Sequence, residues 1–306
     1  MEVKKEYTIT KQFHVGIGYK SGLLWQWTGE SQVTERHGIH MKKLGVIGGL
    51  GPMATAYFLQ LITQMSDAET DQEHMEILLH SKPRIPDRTR FILGQSRENP
   101  LPQMVEIGID LRSQGAEMIA IPCVTAHYFR KRLEREIGIP ILDAIRETAL
   151  CLRAAGIRRA GIMGTDGTIE SGLFQRALAE EGITFVLPDR SGQQAVMDII
   201  YKEVKAGRPV DFPAFRQVAR ELADAGAQTV ILACTELSLV KRDFELGDGF
   251  LDVMEVLARK AVLTCGRLNP RYERLLGIAS VSGERPERMP AGDCECIRRM
   301  PGMNVC

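Results

Sequence analysis

Short apolar runs alternate with longer stretches of helical period between residues 42 and about 265. The apolar runs have the length of buried β-strands and lie at 44–47, 76–80, 117–121, 160–163, 184–187 and 229–233. Apolar residues recur at helical spacing over 53–66, 100–114, 126–136, 143–155, 170–181, 193–206 and 213–225. This alternation predicts an α/β fold in which mainly parallel sheets are flanked by helices.

The chain also repeats itself at a nearly constant distance. One set of residues recurs 111 positions later, with Leu111, Gly115, Ala116 and Cys123 matched by Leu222, Gly226, Ala227 and Cys234. A second set recurs 116 positions later, with Gly45, Gly48 and Gly51 matched by Gly161, Gly164 and Gly167. The similar offsets predict two related α/β halves, because a duplicated unit repeats its turn and strand residues at a fixed period.

These patterns predict a division of the chain into domains. We expect 1–41, which holds both tryptophans and shows no clear period, to be a poorly ordered N-terminal extension. The first α/β domain would comprise 42–142 together with 251–266, and the second would comprise 143–250. Residues 267–306, with weak periodicity, would form a loosely docked C-terminal tail.

Composition excludes several classes of function. Lys+Arg and Asp+Glu number 39 each in 306 residues, so net charge gives no reason to expect a nucleic acid partner or a membrane surface. No run of 18 apolar residues is present, and none of the seven cysteines forms a C-x-x-C pair. We therefore expect a cytoplasmic protein with free thiols and no metal site.

Two of these thiols stand at equivalent places. Cys123 and Cys234 each end an apolar run and precede a helical stretch. Because free backbone N–H groups at a helix start stabilise negative charge, we expect the pKa of both thiols to fall below about 8.5. A substrate carboxylate could dock on the same N–H groups, and Thr125 and Thr235 would add hydroxyl donors.

Two thiols that flank one carbon suit a particular reaction. One thiolate removes a proton α to a carboxylate, and the opposite thiol returns a proton to the other face, which inverts the configuration. The carbanion formed between these steps needs hydrogen-bond donors or a cation near the carboxylate. A single buried cysteine is more often a small apolar residue, and we interpret Cys151 and Cys265 in that way.

The chain resembles the PLP-independent aspartate/glutamate racemase family, and within it the aspartate racemases. The resemblance covers about 42–265. Its motifs appear in family order and are Gly48-Gly-Leu-Gly-Pro52, Ile85-Pro-Asp-Arg-Thr89, Pro122-Cys-Val-Thr-Ala-His127, Val204-Lys-Ala-Gly207 and Ala233-Cys-Thr-Glu236. Gly49-Leu-Gly51 also mimics a dinucleotide fingerprint, but no acidic residue follows the second strand, so we reject that interpretation.

The resemblance implies a site and an assembly. It makes Cys123 and Cys234 the two acid/base residues, and it places Arg88 and Lys205 near the side-chain carboxylate of aspartate. The further substrate-binding residues that it implies are Gly51, Val124, Thr125, Thr165, Thr168, Thr235 and Glu236. It also implies two α/β domains related by a pseudo-twofold axis, a site in the cleft between them, no cofactor, a small amino acid as substrate and a homodimer.

One residue departs from the family pattern. Val124 stands where the family usually has an asparagine that binds the substrate α-carboxylate, and valine has no donor to offer. A lost hydrogen bond to a charged group costs roughly 1.5–3 kcal/mol. Three alternatives to aspartate racemisation therefore stay open, which are a maleate isomerase activity, a hydantoin racemase activity and non-catalytic binding of a dicarboxylate.

Two further residues have uncertain roles at this stage. His127 lies four positions after Cys123 and could either orient the thiolate or serve as a structural cap. Asp252 matches a family aspartate, and we interpret it as structural.

Overall fold

The computed structural model describes Met41–Phe244 and Leu246–Glu273. The predicted N-terminal extension, except Met41, and the predicted tail beyond Glu273 lie outside these residues. The short part of the tail that is described, 267–273, contacts the end of the first long helix. Asp67 N–H donates to the Arg267 carbonyl, and Asn269 N–H donates to the Met65 carbonyl.

The first half of the chain builds a three-stranded parallel sheet. Its strands are β1 (Leu44–Gly48), β2 (Ile77–Ser81) and β3 (Met118–Ala120), in the order β2-β1-β3. A parallel bridge between Ile119 and Ile141 extends the far edge. The α-helices of this half are α1 (Pro52–Met65), α2 (Arg88–Ile92), α3 (Leu101–Ser113) and α4 (Arg130–Ile137).

The second half builds a four-stranded parallel sheet with the same connectivity. Its strands are β4 (Arg159–Gly164), β5 (Thr184–Val186), β6 (Thr229–Ala233) and β7 (Phe250–Asp252), in the order β5-β4-β6-β7. The remaining α-helices are α5 (Ala144–Ala154), α6 (Asp166–Glu170), α7 (Leu173–Glu180), α8 (Arg190–Asp198), α9 (Phe212–Asp224), α10 (Thr235–Asp243) and α11 (Val253–Cys265). The predicted fold class, two α/β halves with parallel sheets flanked by helices, is confirmed.

A continuous apolar core joins the two halves. One buried cluster contains Leu44 and Phe58 of the first half together with Phe174 and Ile231 of the second. Two further clusters each belong to one half. Helix α11 follows the last strand of the second sheet but packs on α1 and α5. The predicted domain boundary at 250/251 falls inside β7. The division into domains stays a prediction.

Three predicted helices differ in detail from the observed ones. The stretch 126–136 begins as a 3-10 helix over Val124–Phe129 and becomes α-helical at Arg130. The stretch 170–181 is broken at Gly172, whose φ of 64° is left-handed. Helix α8 continues into a π-helical turn over Ile199–Val204. No helix within the described ranges is long and apolar enough to cross a membrane.

Candidate active site

Cys123 and Cys234 occupy equivalent positions in the two sheets. Cys123 follows β3, which pairs with β1, the first strand of its half. Cys234 follows β6, which pairs with β4, the first strand of the other half. Each also has extended backbone and is the N-cap residue of the following helix. The predicted strand-to-helix junctions are thus confirmed, although the helix after Cys123 is a 3-10 helix.

Both thiols line a single small cavity, in which the space open to a water-sized molecule is about 10 Å³. The cysteines are buried, with 6% of Cys123 and 5% of Cys234 exposed, so the cavity is tightly enclosed around them. Nine residues that the sequence predicted for the site line it, namely Arg88, Cys123, Val124, Thr125, Thr165, Lys205, Cys234, Thr235 and Glu236. Gly51 and Thr168 do not line the cavity and lie directly behind lining residues.

The thiol of Cys234 is paired with a carboxylate. Its Sγ donates to Oε2 of Glu236 over 2.9 Å, and both side chains are buried. Burial raises the pKa of Cys234 well above its usual value, and the charge of Glu236 raises it further, whereas Lys205 lowers it. The expectation that the helix start would lower this pKa is therefore wrong, because burial and the neighbouring carboxylate outweigh the helix dipole.

Glu236 is also the anion that faces Lys205. The Lys205 ammonium lies 3.9 Å from Oε1 of Glu236. Burial lowers the pKa of Lys205, but the negative charge of Glu236, with smaller contributions from other neighbouring groups, outweighs burial, so the pKa is raised and the ammonium stays charged. A Cβ at Gly51 would lie 2.9 Å from the same oxygen, so the glycine gives Glu236 the room to reach Cys234.

Arg88 lies beside the other cysteine. It is the first residue of α2, and its terminal nitrogens donate to the main-chain carbonyls of Ile85, Pro86 and Leu50. Its Nε is buried and has no hydrogen-bond partner among the described residues. Burial lowers the pKa of Arg88, but the interactions with Cys123, Asp87 and Tyr201 together outweigh burial and raise the pKa. The guanidinium is therefore fixed by the main chain and supplies positive charge next to Cys123.

Four buried threonines form a hydroxyl cluster between the two halves. Thr165 Oγ lies 3.0 Å from that of Thr125, 3.1 Å from that of Thr168 and within hydrogen-bond distance of Thr89. Thr125 also contacts Thr168 at 3.0 Å. Because a hydroxyl both donates and accepts, this cluster can reorient toward a substrate carboxylate without losing all of its partners. Val124, which also lines the cavity, offers only methyl groups.

Sequence reasoning missed four residues that line the cavity, which are Leu50, Asp87, Thr89 and Tyr201. Asp87 and Thr89 flank Arg88 within the motif quoted above, so the motif itself carried a signal for them. Tyr201 precedes Lys205 by one helical turn, which was the available signal for it. The hydroxyl of Tyr201 donates to the Asp87 carboxylate across the cleft.

His127 and Asp252 do not line the cavity. Burial lowers the pKa of His127 to about 4, which Asp143 opposes and Arg130 reinforces. The ring is neutral near pH 7, and its nitrogens have no hydrogen-bond partner within the described part of the chain. Asp252 accepts from Ser238 and is fully buried. Neither residue contacts a thiol. We therefore interpret both His127 and Asp252 as structural residues.

The arrangement can move protons. It combines two thiols, two cations and a set of hydroxyls in one cavity, which are acid/base groups and carboxylate donors. Within the described ranges, no three His, Cys, Asp or Glu side chains gather as they would to hold a metal ion.

Comparison with known proteins identifies the family that shares these features. The sequence model of the Asp/Glu/Hydantoin racemase family matches residues 47–261. The broad specificity amino-acid racemase RacX of Bacillus subtilis (strain 168) is 24% identical over 227 residues, which are 72% of this chain and 97% of that protein.

Solved structures give the same result. Aspartate racemase of Picrophilus torridus is 30% identical and superposes with a TM-score of 0.64, covering 76% of this chain and 97% of that one. An aspartate racemase homologue from Pyrococcus horikoshii is 25% identical with a TM-score of 0.58, covering 73% of this chain and 98% of its own. The similarity thus spans both sheets and both cysteines.

Proposed function

Because the chain belongs to the Asp/Glu/Hydantoin racemase family, we propose that it racemises aspartate by proton transfer between Cys123 and Cys234, without a cofactor. The observation that carries the proposal is the placement of the two thiols. They follow equivalent strands of two sheets with the same connectivity and line one cavity. This is the arrangement that a two-base inversion at one carbon requires.

The two thiols differ in their surroundings, and the difference assigns them roles in one direction of the reaction. Cys234 donates to Glu236 and so holds its proton, while Cys123 has the positively charged Arg88 guanidinium beside it in the cavity. In this direction Cys123 takes the α-proton and Cys234 gives its proton to the opposite face. One C–H bond of the substrate is broken and another forms on the opposite face, so the configuration of the α-carbon is inverted. Cys123 ends the step as a thiol and Cys234 as a thiolate.

The negative charge that develops on the substrate is stabilised by fixed groups. The first backbone N–H groups after Cys123 and Cys234 lie at helix starts, where donors are free to bind a carboxylate. The hydroxyls of Thr125 and Thr165 are available in the same cavity. We propose that these hydroxyls supply the donors that Val124 lacks.

Lys205 is the cation best placed for a second carboxylate. Its ammonium lies 3.9 Å from Glu236, which is longer than a hydrogen bond, so it can approach a substrate oxygen. A substrate with a side-chain carboxylate, such as aspartate, would thus find a charged partner.

A second candidate function is racemisation of several amino acids. It is favoured by the state of Arg88, three of whose five N–H donors are used by main-chain carbonyls, so fewer donors are left for a side-chain carboxylate. It is also favoured by the similarity to a broad specificity racemase. Under this candidate, uncharged side chains would be accepted as well.

Exchange of the α-hydrogen in D₂O, followed by ¹H NMR, tests the proposal. We expect the α-signal of L- and D-aspartate to disappear, with the opposite enantiomer appearing in a chiral assay. Alanine, glutamate, a substituted hydantoin and maleate form the panel that separates the alternatives. Exchange of neutral amino acids at comparable rates would support the second candidate, and turnover of maleate or hydantoin alone would contradict both.

A further inference from the structure

We propose that Tyr201 is a positioning residue that fixes Lys205 in the site and, through a hydrogen bond to Asp87, holds the two halves of the protein closed over both thiols. The part of the proposal that concerns substrate rests on the proposed function. The closure itself does not, and it can be measured without turnover.

The first observation is a side-chain bond between the halves. The Tyr201 hydroxyl lies 3.1 Å from Oδ2 and 3.3 Å from Oδ1 of Asp87, and the two residues are 114 positions apart. Tyr201 belongs to the second half, whereas Asp87 caps helix α2 of the first half and accepts from Arg90 N–H. Both line the cavity. The bond therefore ties the two halves at the site itself.

The second observation is a contact between Tyr201 and Lys205. The Lys205 ammonium lies 4.0 Å from the centre of the Tyr201 ring, within the range of a cation–π interaction. The ring thus fixes the direction in which the lysine side chain extends from its helix.

A π-helical turn places both side chains. Tyr201 lies within Ile199–Val204, and Lys205 N–H donates to the Ile200 carbonyl five residues earlier. Single π-turns inside helices are frequently found at functional sites, and the extra residue redirects the side chains around it. Here the turn directs Tyr201 and Lys205 into one cavity.

The charges around Tyr201 favour its role as a donor. Burial raises the pKa of the phenol to about 12, and the charge of Asp87 adds to this, while Lys205 opposes it. The hydroxyl therefore keeps its proton and donates a hydrogen bond to the Asp87 carboxylate. A hydrogen bond to a charged acceptor is stronger than one between neutral groups.

A pair of substitutions separates the two contacts of Tyr201. Tyr201→Phe keeps the ring under Lys205 but removes the hydroxyl, whereas Tyr201→Leu removes both. Tyr272→Phe is the matched control, since Tyr272 is also partly buried and its ring carries a cation, Arg271, at 4.8 Å. Tyr272 lies outside the cavity.

Alkylation by iodoacetamide measures closure. Cys123 and Cys234 are buried, so the reagent reaches them only when the halves separate. We expect Tyr201→Phe to raise the alkylation rate of both, as read by peptide mass spectrometry, by about tenfold, the effect of losing one hydrogen bond to a charged group. Tyr272→Phe should leave the rate unchanged.

Asp87→Ser provides the reciprocal test. Serine preserves the helix cap but is too short to reach Tyr201. Asp87→Ser should accelerate alkylation as Tyr201→Phe does. The double variant should be alkylated no faster than either single variant, because both substitutions remove the same hydrogen bond.

Steady-state kinetics measures the role toward Lys205. With aspartate, Tyr201→Leu should raise KM more than it lowers kcat, and more than Tyr201→Phe does, because only the leucine variant frees the lysine. Wild-type alkylation rates in Tyr201→Phe would overturn the closure, and equal KM values in the phenylalanine and leucine variants would overturn the positioning of Lys205. Faster alkylation in a protein that turns over no aspartate would support the closure and contradict the proposed function alone.

Discussion

At the scale of single residues, the two thiols of the site are unequal. Cys234 is the donor in a hydrogen bond to Glu236, whereas Cys123 lies beside a buried arginine. Both follow strands in the same way, so the difference comes from the side chains that the rest of the chain brings to each of them. A carboxylate next to one thiol keeps that thiol protonated, which prepares it to act as an acid.

Glu236→Gln should make Cys234 easier to ionise. The substitution removes the negative charge beside the thiol and keeps the size of the side chain, so the pKa of Cys234 should fall. We expect the midpoint of the pH dependence of Cys234 alkylation to move to lower pH. Glu136→Gln, at an exposed glutamate paired with Arg132, serves as the control. An unchanged midpoint in Glu236→Gln would show that burial alone sets this pKa.

Asp252 makes stability depend on pH in a defined direction. Burial raises its pKa from 3.8 to about 7, and the charge of Glu255 adds to this. The folded state therefore binds more protons than the unfolded state between these values, so stability is highest below them and falls as pH rises toward 7. Oδ2 of Asp252 has no hydrogen-bond partner among the described residues, so an amide group fits there without breaking a bond.

Asp252→Asn should remove this dependence. Urea unfolding at pH 5 and pH 8 should show wild type losing about 2–3 kcal/mol relative to the variant over that interval. Asp224→Asn, at an exposed position on α9, should follow wild type at both pH values. If Asp252→Asn loses as much stability as wild type between the two pH values, the buried carboxyl is not the titrating group.

Some of these residue properties could be predicted from the sequence and others could not. The positions of Cys123 and Cys234 followed from their repeated surroundings, because a strand end and a helix start have local signatures. The pairing of Cys234 with Glu236 did not follow, since it depends on how a buried side chain turns and on the space that Gly51 leaves. Tyr201 was missed because its partner Asp87 lies 114 residues away.

At the scale of elements, irregular turns carry side chains of the proposed site. A 3-10 helix follows Cys123, and a π-helical turn leads to Lys205. Apolar periodicity predicted helices in both places, because 3-10, α and π turns have periods too similar to separate in a few residues. The sequence could therefore locate these elements but could not give the direction of their side chains.

Close packing of α2 on α6 brings the halves together beside the threonine cluster. Gly167 of α6 faces Thr89 of α2, and a Cβ at Gly167 would lie 2.8 Å from the Thr89 Cα. Because backbone atoms cannot move aside as a side-chain end can, a methyl group here would push the two helices apart.

Gly167→Ala should therefore destabilise the protein and slow its reaction. We expect the free energy of unfolding to fall by about 1–3 kcal/mol from overpacking, less a gain of up to about 1 kcal/mol from helix propensity. Gly266→Ala is the control, since its Cβ would meet only the flexible end of Met75 at 3.1 Å. Equal stability of the two variants in urea unfolding would show that α2 and α6 have room to separate.

At the scale of the whole molecule, the internal repeat of the sequence corresponds to two sheets with one connectivity. The repeated glycines lie in β1 and β4 or at the starts of the helices that follow them, and the repeated cysteines follow β3 and β6. Local signals were sufficient for this level of the fold. The shared apolar core and the path of α11 back to the first sheet depend on contacts distant in sequence, which periodicity does not encode. The homodimer that the resemblance implies stays a prediction.

The central claim is that Cys123 and Cys234 are the acid and base of one reaction. Replacing either cysteine by serine removes a group of suitable pKa, so we expect Cys123→Ser and Cys234→Ser each to lower aspartate racemisation by about 10²-fold or more. Cys151→Ser, on α5 and outside the cavity, should retain the wild-type rate.

The most direct measurement is the rate at which L-aspartate and D-aspartate interconvert in these three variants, followed by chiral chromatography beside wild type. The account predicts loss of interconversion in both Cys123→Ser and Cys234→Ser and its retention in Cys151→Ser. Interconversion at the wild-type rate in either Cys123→Ser or Cys234→Ser would contradict it.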